Sequence, residues 1–199
     1  PSIVITKGAI SSERPDNVAV FAPPTVGPVA FDPAGPGSHC PRWSGTISST
    51  DPDGGGALKG LSNAPINSDI SEIDAEDLVS FAIVLENKGT GPKGAYDVRV
   101  KDTLPSAFQI PSSGTGLNLC ITDGTGEEFT SSDYIALDGG SGSDLFGSGL
   151  ELIDPGPTTS PDAAIDPYHT TSGRNIVVIT YDLELKTTVV PNTSYSPRS

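Results

Sequence analysis

Residues 78–105, LVSFAIVLENKGTGPKGAYDVRVKDTLP, decide the fold class of this chain. In the first part, the large apolar residues Phe81, Ile83 and Leu85 alternate with smaller or polar ones, and residues 96–101 alternate in the same way. A period of two is typical of strands with one face in water. The glycines and the proline between the two runs favour a turn. The stretch therefore predicts two strands joined as a hairpin, and nothing in it looks catalytic.

Other short apolar runs along the chain follow the same pattern. The late run, residues 175–186, begins as a continuous apolar segment, which is typical of a central buried strand. We expect it to lie beside the strand that starts at Leu78, in the middle of the core. With about eight short strands, turn signals between them and no useful helix-period segment, the sequence predicts an all-β sandwich with long Gly/Pro-rich loops. The remaining runs are residues 3–7, 17–21, 43–47, 117–121, 133–137 and 150–153.

The 199 residues suffice for one large β domain or two small ones, and we expect a single sandwich unit over residues 1–199. Many of the 23 glycines and 19 prolines lie in residues 22–60. A loop region of that length is uncommon inside a compact domain, so we expect an insertion there. The chain does not begin with methionine, which we interpret as a mature or excised piece of a longer protein.

The charge balance excludes several classes of partner. The 25 acidic and 11 basic residues give a net charge of −14, which repels nucleic acid and anionic lipid and favours solubility and divalent cations. No apolar run approaches the roughly 18 residues of a membrane span. We therefore expect no nucleic-acid partner and no membrane insertion within this chain.

Cys40 and Cys120 are the only cysteines, and their spacing fits neither a CxxC motif nor a zinc finger. In an exported protein they would form one disulfide, which contributes on the order of 4 kcal/mol in the chain-entropy model. Two unpaired, buried thiols are the alternative, because composition alone does not fix the compartment.

Two acidic stretches have the carboxylate spacing of calcium sites. Asp51 and Asp53 precede three glycines and could converge on a hard cation, although the full EF-hand pattern is absent. Residues 139–146 match a single copy of the calcium-binding nonapeptide of β-rolls, with Asp138 and Asp144 as nearby carboxylates. Calcium is thus the only cofactor that the sequence suggests. An acidic turn and a glycine loop are the plainer alternatives.

Four segments together resemble a known family. They are PSIVITK at residues 1–7, the N-x-G turn at 87–89, VKDTLP at 100–105 and ITYDLEL at 179–185. The chain resembles the tandem conserved-repeat domains of bacterial and archaeal cell-surface proteins, including the isopeptide-forming fimbrial group. The resemblance implies immunoglobulin-like sandwiches strung in series as stalks, fibres or adhesive repeats. The family's closing strand has no counterpart here, and a missing strand would leave a sheet edge open to another chain or a neighbouring repeat.

The resemblance also makes Lys7 a candidate for an intramolecular isopeptide bond, with an ordinary lysine as the alternative. The acceptor in the family lies on the closing strand, so Asn175 and Asn192 are the acceptors left in this chain. The reaction needs a neutral amine, which requires a desolvated lysine.

We expect an extracellular structural or adhesive repeat module that contacts neighbouring repeats or identical subunits. One alternative is a calcium-dependent binding module for a surface glycan or protein, and another is an accessory domain of a secreted enzyme. We predict no catalytic site, because His39 and His169 lie in no recognisable catalytic motif.

Overall fold

The computed structural model describes residues 1–13, 39–43, 46–49, 73–112, 114, 116–130, 132–138, 142–153 and 163–189. Within these ranges the chain is all-β, with no α-helix and one short 3-10 helix at Gly142–Phe146. The predicted all-β class is confirmed for the described residues. The strands are β1 (Ile3–Ser12), β2 (Leu78–Asn87), β3 (Val98–Val100), β4 (Phe108–Gln109), β5 (Cys120–Asp123), β6 (Tyr134–Ala136), β7 (Leu150–Leu152) and β8 (Ile176–Leu185).

The strands form two antiparallel sheets. In the larger sheet β2 lies between β1 and β8, and β4 and β5 both pair with the other side of β8. The three longest strands, β1, β2 and β8, are in register over almost their whole length, with one irregularity in β1 at Ile10. The smaller sheet has the order β3-β7-β6. The predicted adjacency of β2 and β8 is confirmed.

Alternation along the long strands places one set of side chains in a shared core. Phe81 and Ile83 of β2 join Ile179 of β8 and Leu150 and Leu152 of β7 in a single apolar cluster. The Phe81 ring stacks on Tyr181, with centroids 5.7 Å apart. Two antiparallel sheets that bury their apolar faces against each other form a β-sandwich.

The predicted hairpin between β2 and β3 is wrong. β3 pairs with β7 in the smaller sheet, because both sides of β2 are occupied by ten-residue strands that form far longer ladders. The chain crosses to the smaller sheet after β2, where Ala95 bridges Ile165 and Asp97 adopts a φ of 52°. The prediction that one face of β2 lies in water is also wrong, since nine of its ten residues are buried.

A segment from the predicted insertion covers the outer face of the larger sheet. Residues 39–43 and 46–49, which we call the strap, bury Trp43 and Ile47 and contact outer-face side chains of β2 and β8. The rest of the insertion and the run at 17–21 lie outside the described residues. The strap therefore gives the larger sheet a second buried face. Residues 43–47, which were expected to form a strand, contain only an isolated bridge at Trp43 among their described residues.

Candidate functional site

Three side chains connect the two sheets through one carboxylate. The amine of Lys7 on β1 donates to Oδ1 of Asp102 at 2.7 Å, and the hydroxyl of Tyr181 on β8 donates to Oδ2 at 2.6 Å. Asp102 lies two residues after the end of β3. The Lys7 and Asp102 side chains are only 13% and 10% exposed. We call these three residues the brace, because they join the first strand of one sheet to the first strand of the other.

Burial determines the state of the tyrosine in the brace. Desolvation raises the pKa of Tyr181 well above its usual value, and the negative charge of Asp102 and the hydrogen bond to it raise the pKa further. The ring is fixed by stacking on Phe81 and by an edge contact with Phe146. Tyr181 is therefore a neutral hydrogen-bond donor to a carboxylate that also binds a cation.

The isopeptide candidates are not adjacent. Lys7 lies opposite Ile83, which lies opposite Ile179, four residues after Asn175, the residue that directly precedes β8. The side-chain amide of Asn175 donates instead to the Ser49 hydroxyl at 2.7 Å and to the Asn87 carbonyl at 3.2 Å. Asn192 lies outside the described residues. Lys7 thus contacts Asp102, an acidic partner that the sequence analysis did not consider.

The predicted disulfide is present and anchors the strap. Cys40 and Cys120 are bonded, with their Cα atoms 5.7 Å apart, and Cys120 is the first residue of β5. The bond closes a loop between residues 80 positions apart. It fixes one end of the strap to the strand beside β8.

A buried ion pair holds the strap two residues beyond the disulfide. The guanidinium of Arg42 pairs with Asp182 on β8 and also donates to Ser80 on β2 at 2.9 Å and to the Asn118 carbonyl at 2.7 Å. Asp182 also accepts from Ser80 and from the Asn118 amide. Buried charges are stable when they are paired and hydrogen-bonded in this way. The pair thus fixes the strap across two central strands.

A second polar contact fixes the far end of the strap. The Ser49 hydroxyl donates to the fully buried Glu86 on β2 and accepts from Asn175. Four buried polar atoms have no protein hydrogen-bond partner among the described residues: Arg42 Nε on the strap, Asn175 Oδ1, Thr122 Oγ1 on β5 and Thr180 Oγ1 on β8. The layer between strap and sheet thus combines the apolar Trp43 and Ile47 with buried polar contacts made by Arg42 and Ser49.

The two carboxylates of the glycine-rich loop are engaged by backbone amides. The N–H of Asp138 donates to Asp144 at 2.9 Å, and the N–H of Ser148 donates to Asp138. Hydrogen bonds from the side chain and backbone of Ser148 lower the pKa of Asp138. The described ranges contain no group of three or more His, Cys, Asp or Glu side chains placed to hold a metal. Asp51 and Asp53 lie outside those ranges, so calcium there stays a prediction.

Trp43 and His169 occupy structural positions. Trp43 is part of the strap, and its side chain is buried. The Nδ1 atom of His169 accepts backbone N–H groups from Thr171 at 3.2 Å and Ser172 at 3.1 Å, which organises its loop. The described part of the chain contains no helix with the length and apolarity of a membrane span.

Sequence reasoning missed Asp102, Arg42 and Asp182. Two of them could have been noticed in the sequence: Asp102 lies in the quoted VKDTLP segment, and Asp182 is a charged residue within the apolar β8 run. Arg42 could not, because its position in a Gly/Pro-rich stretch predicts exposure.

Comparison with models of protein families finds no match, and comparisons with curated proteins and with solved structures also find none.

Proposed function

We propose that this chain is a load-bearing structural module of an exported cell-surface or fibre-forming protein, strung end to end with similar modules. The observation that carries the proposal is the relative direction of β1 and β8. Both strands pair antiparallel with β2, so they run parallel to each other on its two sides.

This arrangement places the entry and exit of the sheet at opposite ends. Ile3 pairs with Asn87, at the end of the sheet where β8 begins, whereas Leu185 ends β8 at the opposite end, near Leu78. Ten residues of strand span about 33 Å. Modules joined through these two points would extend one after another along a common direction.

The same arrangement determines how tension acts on the ladder. A pull on Ile3 and Leu185 in opposite directions slides β1 along β2, and β2 along β8. Such sliding loads all the interstrand hydrogen bonds of a ladder together instead of one after another, and each bond contributes about 1 kcal/mol. We therefore expect the module to resist extension.

The brace and the strap add resistance at both faces of this sheet. Lys7 lies within the pulled strand and is bonded to Asp102, just after β3 of the other sheet, so β1 cannot slide without separating a largely buried ion pair. The Cys40–Cys120 bond keeps the strap and β5 together. A long-range disulfide is typical of proteins in oxidising compartments, which supports an extracellular location.

Force spectroscopy of a tandem array tests the proposal. Copies of the whole chain alternate with a marker domain of known mechanical strength and are pulled through their ends. We expect a distinct high-force unfolding event for each copy. Without reductant each event is shortened by the closed loop of 80 residues, about 280 Å of chain, and reductant restores this length. Extension without force peaks would contradict the load-bearing role.

A further inference from the structure

β1 forms one edge of the larger sheet. β8 is not an edge strand, because it has β2 on one side and β4 and β5 on the other. β1 pairs with β2 and, among the described residues, with no strand on its other side. Residues 8–12 are buried, whereas residues 3–7 reach the surface. The open edge is therefore five residues long.

This edge presents apolar side chains together with outward-facing backbone groups. Ile3 is 40% exposed and Ile5 58%, and both lie on the same face of the strand. The carbonyl of Ser2 accepts from the Lys88 N–H, so the backbone groups of Ser2 face β2 and those of Ile3 and Ile5 face away from it. An edge with unpaired N–H and C=O groups and exposed isoleucines is a template for another strand.

Lys7 is the one residue in this half of β1 that belongs to the devices that usually protect an edge strand, and its charge is neutralised by Asp102. The irregularity at Ile10 lies in the buried half. Inward-pointing charges, bulges and edge lysines are the common means by which sheets avoid pairing. The edge is consequently open to an incoming strand.

We infer that a second copy of this chain occupies the edge, with residues 1–7 of two copies pairing antiparallel about a twofold axis. A twofold interface places the same surface on both sides, so the surface must complement itself. Residues 1–12 include none of the chain's 25 acidic residues, so two copies of net charge −14 meet here without facing carboxylates. When the twofold axis passes through Val4, Ile3 of each copy lies opposite Ile5 of the other copy. The backbone N–H and C=O groups of these residues then face each other in bonding orientation.

The pairing extends the proposed function, because it joins modules side by side. The proposed function explains what the pairing is for, but the structural argument for the pairing does not depend on it. A module that resists force but stays monomeric would overturn the pairing and leave the load-bearing role intact. A module that pairs but extends without force peaks would overturn the load-bearing role and leave the pairing intact.

Sedimentation of the whole chain over a range of concentrations and salt provides the test. We expect a reversible dimer that strengthens with salt, because salt screens the repulsion between two acidic copies. Ile5→Lys should weaken the dimer by at least about tenfold. Ile153→Lys is the matched control, since Ile153 is a 45% exposed isoleucine away from β1, and it should leave the dimer unchanged.

Two double variants test the register. Ile3→Glu with Ile5→Lys places opposite charges across the twofold axis and should still dimerise, whereas Ile3→Lys with Ile5→Lys places like charges there and should be monomeric. A monomeric wild-type chain overturns the inference, as does a dimer that is insensitive to Ile5→Lys or one lost in Ile153→Lys.

Discussion

Lys7, on the first strand of one sheet, and Asp102, just after the first strand of the other, form a largely buried ion pair with an amine-to-carboxylate distance of 2.7 Å. Replacing Lys7 with Met leaves the Asp102 carboxylate buried without its cation. Removing one partner of a buried pair typically costs several kcal/mol. We expect Lys7→Met to lower the free energy of unfolding by about 3 kcal/mol, measured as a lower urea midpoint at unchanged slope.

An exposed ion pair in the same protein is the control. Arg99 and Glu151 lie opposite each other on β3 and β7, with a distance of 3.3 Å, and the arginine is largely in solvent. We expect Arg99→Met to change stability by less than about 1 kcal/mol. Equal effects of Lys7→Met and Arg99→Met would show that the brace is only an ordinary surface contact.

The raised pKa of Tyr181 predicts a loss of stability in alkali. A group whose pKa is raised on folding stabilises the fold at pH values below its unfolded pKa, here 10.0, and that stabilisation is lost as the pH rises above it. The stability of wild type should therefore fall more steeply above about pH 10 than that of Tyr181→Phe. Phenolate absorbance measures the same effect, because Tyr181 should ionise only as the chain unfolds. Ionisation of Tyr181 near pH 10 in the folded protein would argue against its burial beside Asp102.

Loss of the disulfide should release the strap before the rest of the fold. Cys40→Ser with Cys120→Ser removes a cross-link between residues 80 positions apart, so we expect a loss of about 4 kcal/mol. Hydrogen exchange should rise first at the Ile47 amide, which bonds to the Gly124 carbonyl, and last in β2 and β8. Uniform exchange throughout the chain would mean that the strap is no separate layer.

The structural role of Asp144 is separable from calcium binding. Asp144→Asn should weaken the acceptor for the Asp138 amide and lower the melting temperature equally in calcium and in EGTA. A calcium-dependent rise in melting temperature that disappears in Asp51→Asn with Asp53→Asn would assign an ion to the acidic turn. A rise abolished by Asp144→Asn alone would instead favour the glycine-rich loop as the calcium site.

The sequence predicted the strands better than their partners. Apolar runs overlap every described strand except β4, because periodicity depends only on neighbouring residues. The β2–β3 hairpin failed, because strand pairing depends on competition among all strands, and β1 and β8 offer β2 longer ladders. The two-residue β4 produced no periodic signal at all.

Within the candidate site, only the disulfide could be predicted from the sequence. Cys40 and Cys120 had no other cysteine to pair with, so the disulfide followed once an oxidising compartment was assumed. The brace joins residues 7, 102 and 181, and many other carboxylates could have faced Lys7 in an acidic chain. Long-range contacts between common residue types cannot be read from one sequence.

The dependence of unfolding force on pulling direction tests the load-bearing role most directly. One attachment pair is the two ends of the chain, which loads the β1–β2 and β2–β8 ladders in shear. The other is the amino-terminal end and the thiol of Gly91→Cys. Gly91 has open space around it and follows β2 at the end where β1 begins. The second direction separates β1 from β2 one pair at a time. We predict a several-fold higher unfolding force in the first direction than in the second. Equal forces in the two directions would contradict the account.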